Sequence, residues 1–142
     1  MGRTGILLVT ASLLAGGCDL IEDPSPNEAR LVILGEAGKP VRVIVSTQFV
    51  AQVNEIGQTR VVIFEADTVF TTLPYERTWV IEEDQRFFAE AARADADLQN
   101  VQVQVFVDDR KQFDEGGSLL EGHPYRFVYS FNQAITQDIV IL

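Results

Sequence analysis

Four valines separated by single residues, Val101-Gln102-Val103-Gln104-Val105-Phe106-Val107, constrain this chain more than any other run in it. Side chains of an extended strand alternate between two faces, so period-two patterning buries one set and exposes the other. A helix would scatter the valines around its circumference and restrict their branched side chains. The run therefore predicts a strand over Asn100–Asp108, with the valines inward and Gln102 and Gln104 outward. Phe106 falls on the glutamine face. An aromatic exposed among amides marks a protein contact, so Gln102, Gln104 and Phe106 form a candidate interaction surface, with packing beneath a neighbouring loop as the alternative for Phe106.

The same period recurs along the chain. Arg30–Glu36 is a short apolar strand closed by Ala37-Gly38-Lys39-Pro40. Val41–Val50 places Val41, Val43, Val45 and Phe49 on one face and Arg42, Ser46 and Gln48 on the other. Arg60–Ala66 is apolar on both faces, and Arg77–Glu82 alternates Thr78 and Val80 with Trp79 and Ile81. Tyr125–Phe131 aligns Tyr125, Phe127, Tyr129 and Phe131, and Thr136–Leu142 is a final apolar strand. Turn-forming clusters at Asn54–Gly57, Asp114–Gly117 and Gly122 punctuate these runs.

One segment is ambiguous. Glu82–Leu98 is rich in Glu, Ala and Arg, and it pairs Phe87 with Ala91 and Phe88 with Ala92 at helical spacing. Among strands, Arg86–Ala94 is read instead as a strand with Phe87, Ala89 and Ala91 on one face, because context overrides propensity. Seven to eight short strands with no strong helix predict an all-β fold, an antiparallel β-sandwich of the immunoglobulin type. A small closed antiparallel barrel is the alternative.

The front of the chain has a different character. Arg3 precedes an apolar stretch of about a dozen residues, too short for the roughly 20 that span a bilayer but of the proportions of an export signal. Ala15-Gly16-Gly17 leads directly into Cys18, the single cysteine of the chain. This run resembles the lipobox of bacterial lipoproteins, although Ala15 stands where leucine is commonest. The resemblance implies cleavage between Gly17 and Cys18, a diacylglycerol on the Cys18 thiol and an acylated new amine. Two or more chains anchor firmly, whereas one holds only marginally. A lone exported thiol makes no intrachain disulfide, and lipidation leaves it unreactive. The expected organisation is a removed signal over residues 1–17, a lipidated cysteine and acidic, Pro-containing tether over residues 18–29, and a β-domain over residues 30–142. An extended tether of that length reaches about 30 Å. The expected location is the cell envelope, at the periplasmic face or the cell surface of a bacterial membrane.

Thr72-Leu73-Pro74-Tyr75 with Trp79, then Phe87–Ala91 and the valine run to Asp108, together resemble the soluble domain of the mycobacterial MmpS proteins. That family consists of membrane-anchored, immunoglobulin-like accessory proteins of lipid and siderophore exporters. The resemblance covers about 40 residues and implies the fold and an accessory role in envelope transport or assembly. The family's transmembrane helix and cysteine pair have no counterpart here.

The chemistry-bearing residues are few. The net charge of −10 disfavours nucleic acid and anionic headgroups and favours solubility. His123, the single histidine, lies between Gly122 and Pro124 and reads as a turn residue rather than a base or zinc ligand. Asp108, Asp109, Asp114 and Glu115 lack the spacing of a helix-loop-helix calcium loop and read as a solvated hairpin. No metal or cofactor is expected, and a hydrolase using paired carboxylates is disfavoured. The reading is a non-enzymatic, lipid-anchored interaction domain with an envelope protein as partner. The alternative is a small-ligand or carbohydrate binder using Trp79 and the aromatic strand Tyr125–Phe131.

Overall fold

The valine alternation turns into one wall of a two-layer stack. A computed structural model describes residues 27–81 and 85–142, and these form ten strands. One sheet is ordered β4 (Tyr75–Val80), β1 (Glu28–Gly35), β6 (Gln99–Val107), β7 (Arg110–Leu119), all antiparallel. The other is ordered β10 (Ile139–Ile141), β3 (Thr59–Thr72), β2 (Pro40–Val53), β5 (Arg86–Arg93), β8 (Tyr125–Ser130), β9 (Gln133–Ile135). Only β10 joins its neighbour β3 in parallel. The fold is therefore an all-β sandwich with more strands than the seven or eight anticipated. Residues 1–26, which include Gly17, Cys18 and most of the tether, lie outside the described residues. So does Glu82, while β1 begins at Glu28, inside the stretch read as tether.

Between the sheets, Val101, Val103, Val105 and Val107 meet Val41, Val43, Val45, Phe87, Ala89, Ala91 and Phe127 in the main core. The ambiguous alanine-rich segment is β5, a strand. Its inner face is the one its alternation indicates, and central pairing with β2 and β8 outweighs its helical propensity.

Phe49 departs from the face it was assigned. Strand pairing jumps from Val45↔Asp67 to Gln48↔Glu65 and then to Phe49↔Ile63, so a β-bulge puts one extra residue into each strand. The Ser46 hydroxyl ties it down, donating to Glu65 O at 2.5 Å and accepting from Gln48 N at 3.0 Å. Beyond the bulge the parity is reversed. Phe49 joins Val61, Phe88, Val128 and Ile139 in a second core on the sheet's opposite face, over which the six-stranded sheet curls.

Two other expectations change. Asp114–Gly117 is not a turn but the middle of β7. The hairpin turns instead at Asp108-Asp109, both at positive φ between paired Val107 and Arg110, the geometry a two-residue hairpin needs. Asp and Asn tolerate that region without glycine. Phe131-Asn132 repeats the device between β8 and β9, which takes Phe131 out of the strand and leaves it exposed.

Candidate functional site

The face of the four-stranded sheet that points away from the core carries the three residues singled out from sequence. Gln102 is exposed, and Gln104 and Phe106 are half-buried. The cover on Phe106 comes from β1 rather than a loop: the Arg30 guanidinium lies 4.2 Å from its ring centroid and also pairs with Glu76 at 3.1 Å. Both glutamine amides donate to Asp114, at 3.1 Å from Gln104, and Lys111 donates to it as well. The Lys111 bond, then those from Gln102 and Gln104, hold the Asp114 carboxyl at about 2, below its ordinary 3.8. These polar groups largely satisfy one another. Asp108 likewise turns inward on the chain, accepting from Asn27 N at 2.9 Å and Glu28 N at 3.1 Å.

The aromatic strand is core. Phe127 and Tyr129 are buried and Tyr125 packs against them. The Tyr129 hydroxyl donates to Asn132 Oδ1 at 3.1 Å; burial, then the Asp108 charge, pushes its pKa above 10. Trp79 stacks obliquely on Phe87 with centroids 5.6 Å apart. His123 sits in an exposed turn with Nδ1 2.9 Å from Glu121 O.

Sequence reasoning did not single out the charged cluster on the outer face of the six-stranded sheet. Glu90 sits mid-strand in Phe87-Phe88-Ala89-Glu90-Ala91-Ala92, a run buried on both faces, and its side chain is 3% exposed. A carboxylate there is tolerable only when paired. Arg42 Nη2 donates to Oε1 at 3.0 Å and Arg126 Nε to Oε2 at 2.8 Å, while Arg126 Nη1 donates to Ile139 O at 3.0 Å. Register explains the convergence, since Arg126 is directly opposite Glu90 and Arg42 is diagonal to it, opposite Ala92. A lone acid inside an apolar strand was the signal available in the sequence. The triad forms one wall of a cleft of about 510 Å³ that continues over the β5–β6 and β7–β8 connections.

The remaining feature is an open edge. β10 covers β3 only at Thr59, Arg60 and Val61, and no described strand pairs with Val62–Thr72 on that side. Along this length Phe64 and Phe70 are 68% and 71% exposed, and Val62 is exposed too. Phe64 is the extra residue of the bulge, and Phe70 stands opposite Arg42 on β2. The other long edge, β7, carries Arg110, Lys111, Asp114 and Glu115 and the Gly116-Gly117 pair. Charge and irregularity of that kind blunt an edge against foreign strands; the open length of β3 from Val62 to Thr72 carries only Glu65 and Asp67.

Comparison with known protein families, with characterised proteins and with solved structures returns no match.

Proposed function

We propose that this chain is a lipid-anchored, non-catalytic binding module of the bacterial cell envelope, with Cys18 as the acylated residue. The chain between Cys18 and β1 acts as the spacer, and the open edge of β3 receives an extended segment of another envelope protein. The observation that carries this reading is the unpaired, apolar length of β3 from Val62 to Thr72. Unpaired N–H and C=O groups beside exposed Phe64 and Phe70 are what β-strand addition uses, the backbone supplying affinity and alternate side chains specificity. The occupant is defined by charge. Glu65 and Asp67 flank the centre of the edge on a chain of net charge −10, which favours a strand alternating apolar residues with Lys or Arg. A second copy would bring the same acids to the same edge, and like charges across a strand pair destabilise it.

The test uses the full-length chain in detergent, followed by backbone amide NMR, and short peptides alternating Val with Lys, Val with Glu, and a scrambled control. The Val/Lys peptide is expected to shift and protect amides within Val62–Thr72. An equal response to Val/Glu, binding that maps to β7, or protection of β3 by self-association alone would each overturn the reading. The anchor has its own test in mass spectrometry of the chain recovered from membranes. Acyl chains on an N-terminal Cys18 are expected, and a soluble chain with a free thiol contradicts them.

A further inference from the structure

We infer that the cleft beside Arg42, Glu90 and Arg126 binds a small organic carboxylate, a site separate from the β3 edge. The charge arrangement comes first. Two guanidinium groups share one carboxylate whose two oxygens are both occupied, which leaves an excess of one positive charge at the triad itself. Arg93 adds a third guanidinium at the rim, and its Nε donates only to a neutral carbonyl, Asp95 O, at 2.9 Å. Asp95 and Glu121 also line the cleft, yet among the described residues neither lies within ion-pair distance of these arginines.

The second observation is spare hydrogen-bonding capacity. Arg42 makes a single hydrogen bond, through Nη2, so its Nη1 donors have no acceptor among the described residues, and its side chain is 39% exposed. A guanidinium fork with donors left over matches a carboxylate better than it matches a spherical anion. The lining as a whole is balanced, three acids against three arginines, but at the triad two arginines face one acid, so a single negative charge placed there is matched locally and a dianion is not.

The third observation is shape. Beyond the charges the cleft is walled by Ala92, Ala94, Ala96, Gly122, Leu120 and Pro124, small or apolar surfaces that leave room for a short hydrocarbon body. The same chemistry is presented by a free short-chain acid and by the C-terminus of a peptide.

The experiment follows the side-chain Nε–H resonances of arginine in the full-length chain while sodium butyrate, a short peptide with a free C-terminus, its C-terminal amide, sodium sulfate and sodium chloride are added separately. Saturable shifts of Arg42 with butyrate are expected, with sulfate and chloride weaker. Response to the peptide acid but not its amide assigns the peptide as source; response to butyrate alone assigns the free acid. Arg42→Lys keeps a charge beside Glu90 but loses the fork, and should weaken binding about tenfold or more. Ala94→Phe fills the cleft without touching the triad, so it should abolish binding while leaving thermal stability unchanged. Chloride acting as strongly as butyrate, sulfate binding more tightly, or both variants binding like the parent would overturn the assignment.

Discussion

Replacing Phe88 by alanine asks whether the curled sheet has a true second core. In a two-layer sandwich the face away from the partner sheet is ordinarily solvated, so a side chain there should be dispensable. Phe88 is instead fully buried among Phe49, Val61, Val128 and Ile139, with its ring edge-on to Phe49 at 6.3 Å between centroids. Emptying a buried phenylalanine site costs about 3–5 kcal/mol, and a protein of this size has about 5–15 kcal/mol in total. Phe88→Ala should therefore remove a large share of the stability, and Phe87→Ala on the inner face should do the same. Phe64→Ala, on an exposed ring, should stay within about 0.5 kcal/mol. Urea unfolding followed by fluorescence and circular dichroism separates these, because the midpoint moves with stability while the slope reports exposed surface. The Phe49→Ala/Phe88→Ala double variant should fall short of the sum of the two singles, since both empty one cluster. A Phe88→Ala midpoint no lower than that of Phe64→Ala would refute the second core and the bulge-driven reversal that builds it.

Three further outcomes follow from the same geometry. Glu90→Ala strands two guanidinium groups. With both arginines part-exposed, the loss should sit near the low end of the buried-pair range, about 3 kcal/mol in urea unfolding, and a loss under about 1 kcal/mol would dismiss the triad as structural. Gly35→Ala would place a Cβ 2.7 Å from Leu73 Cδ1 and 2.9 Å from the Asn100 carbonyl oxygen; because that backbone cannot yield easily, destabilisation of about 1–3 kcal/mol is expected, and a neutral result would contradict the close approach of β1 and β6. Asp114, with its folded pKa held at about 2, contributes stability that is present above its ordinary 3.8 and is lost as pH falls toward 2; Asp114→Asn should flatten that part of a stability–pH profile, and superimposable parent and variant curves would remove the Lys111 and glutamine bonds from the account.

What could be read from residues alone was whatever depends on alternation. The valines of β6 and the Phe87, Ala89, Ala91 face of β5 lie where period two puts them. Even the helix-prone composition of β5 yields to strand context there. Illegible features came from single-residue irregularities. The bulge after Val45 reverses the face of everything beyond it, and nothing in Val45-Ser46-Thr47-Gln48 announces that, because the Ser46 hydroxyl acts only once Glu65 is opposite. The Asp108-Asp109 turn was obscured by a stronger glycine signal at Gly116-Gly117, which lies inside β7 instead. The charged triad was half legible: an acid within an apolar strand demands a partner, but which arginines reach it depends on the order β2-β5-β8, a tertiary fact. The β3 edge is wholly tertiary, since a strand is an edge only by what fails to pair with it.

The most direct measurement places a photo-reactive side chain at Thr68, midway along the open edge of β3, and a control at Glu115 on β7, in cells that make the protein. Adducts are expected from Thr68 but not from Glu115, to a different membrane-associated protein, through a peptide alternating apolar residues with Lys or Arg. Adducts should also disappear when Ala66→Pro breaks the edge. Crosslinks only between copies of this chain, or equal capture from both positions, would contradict strand addition at this edge.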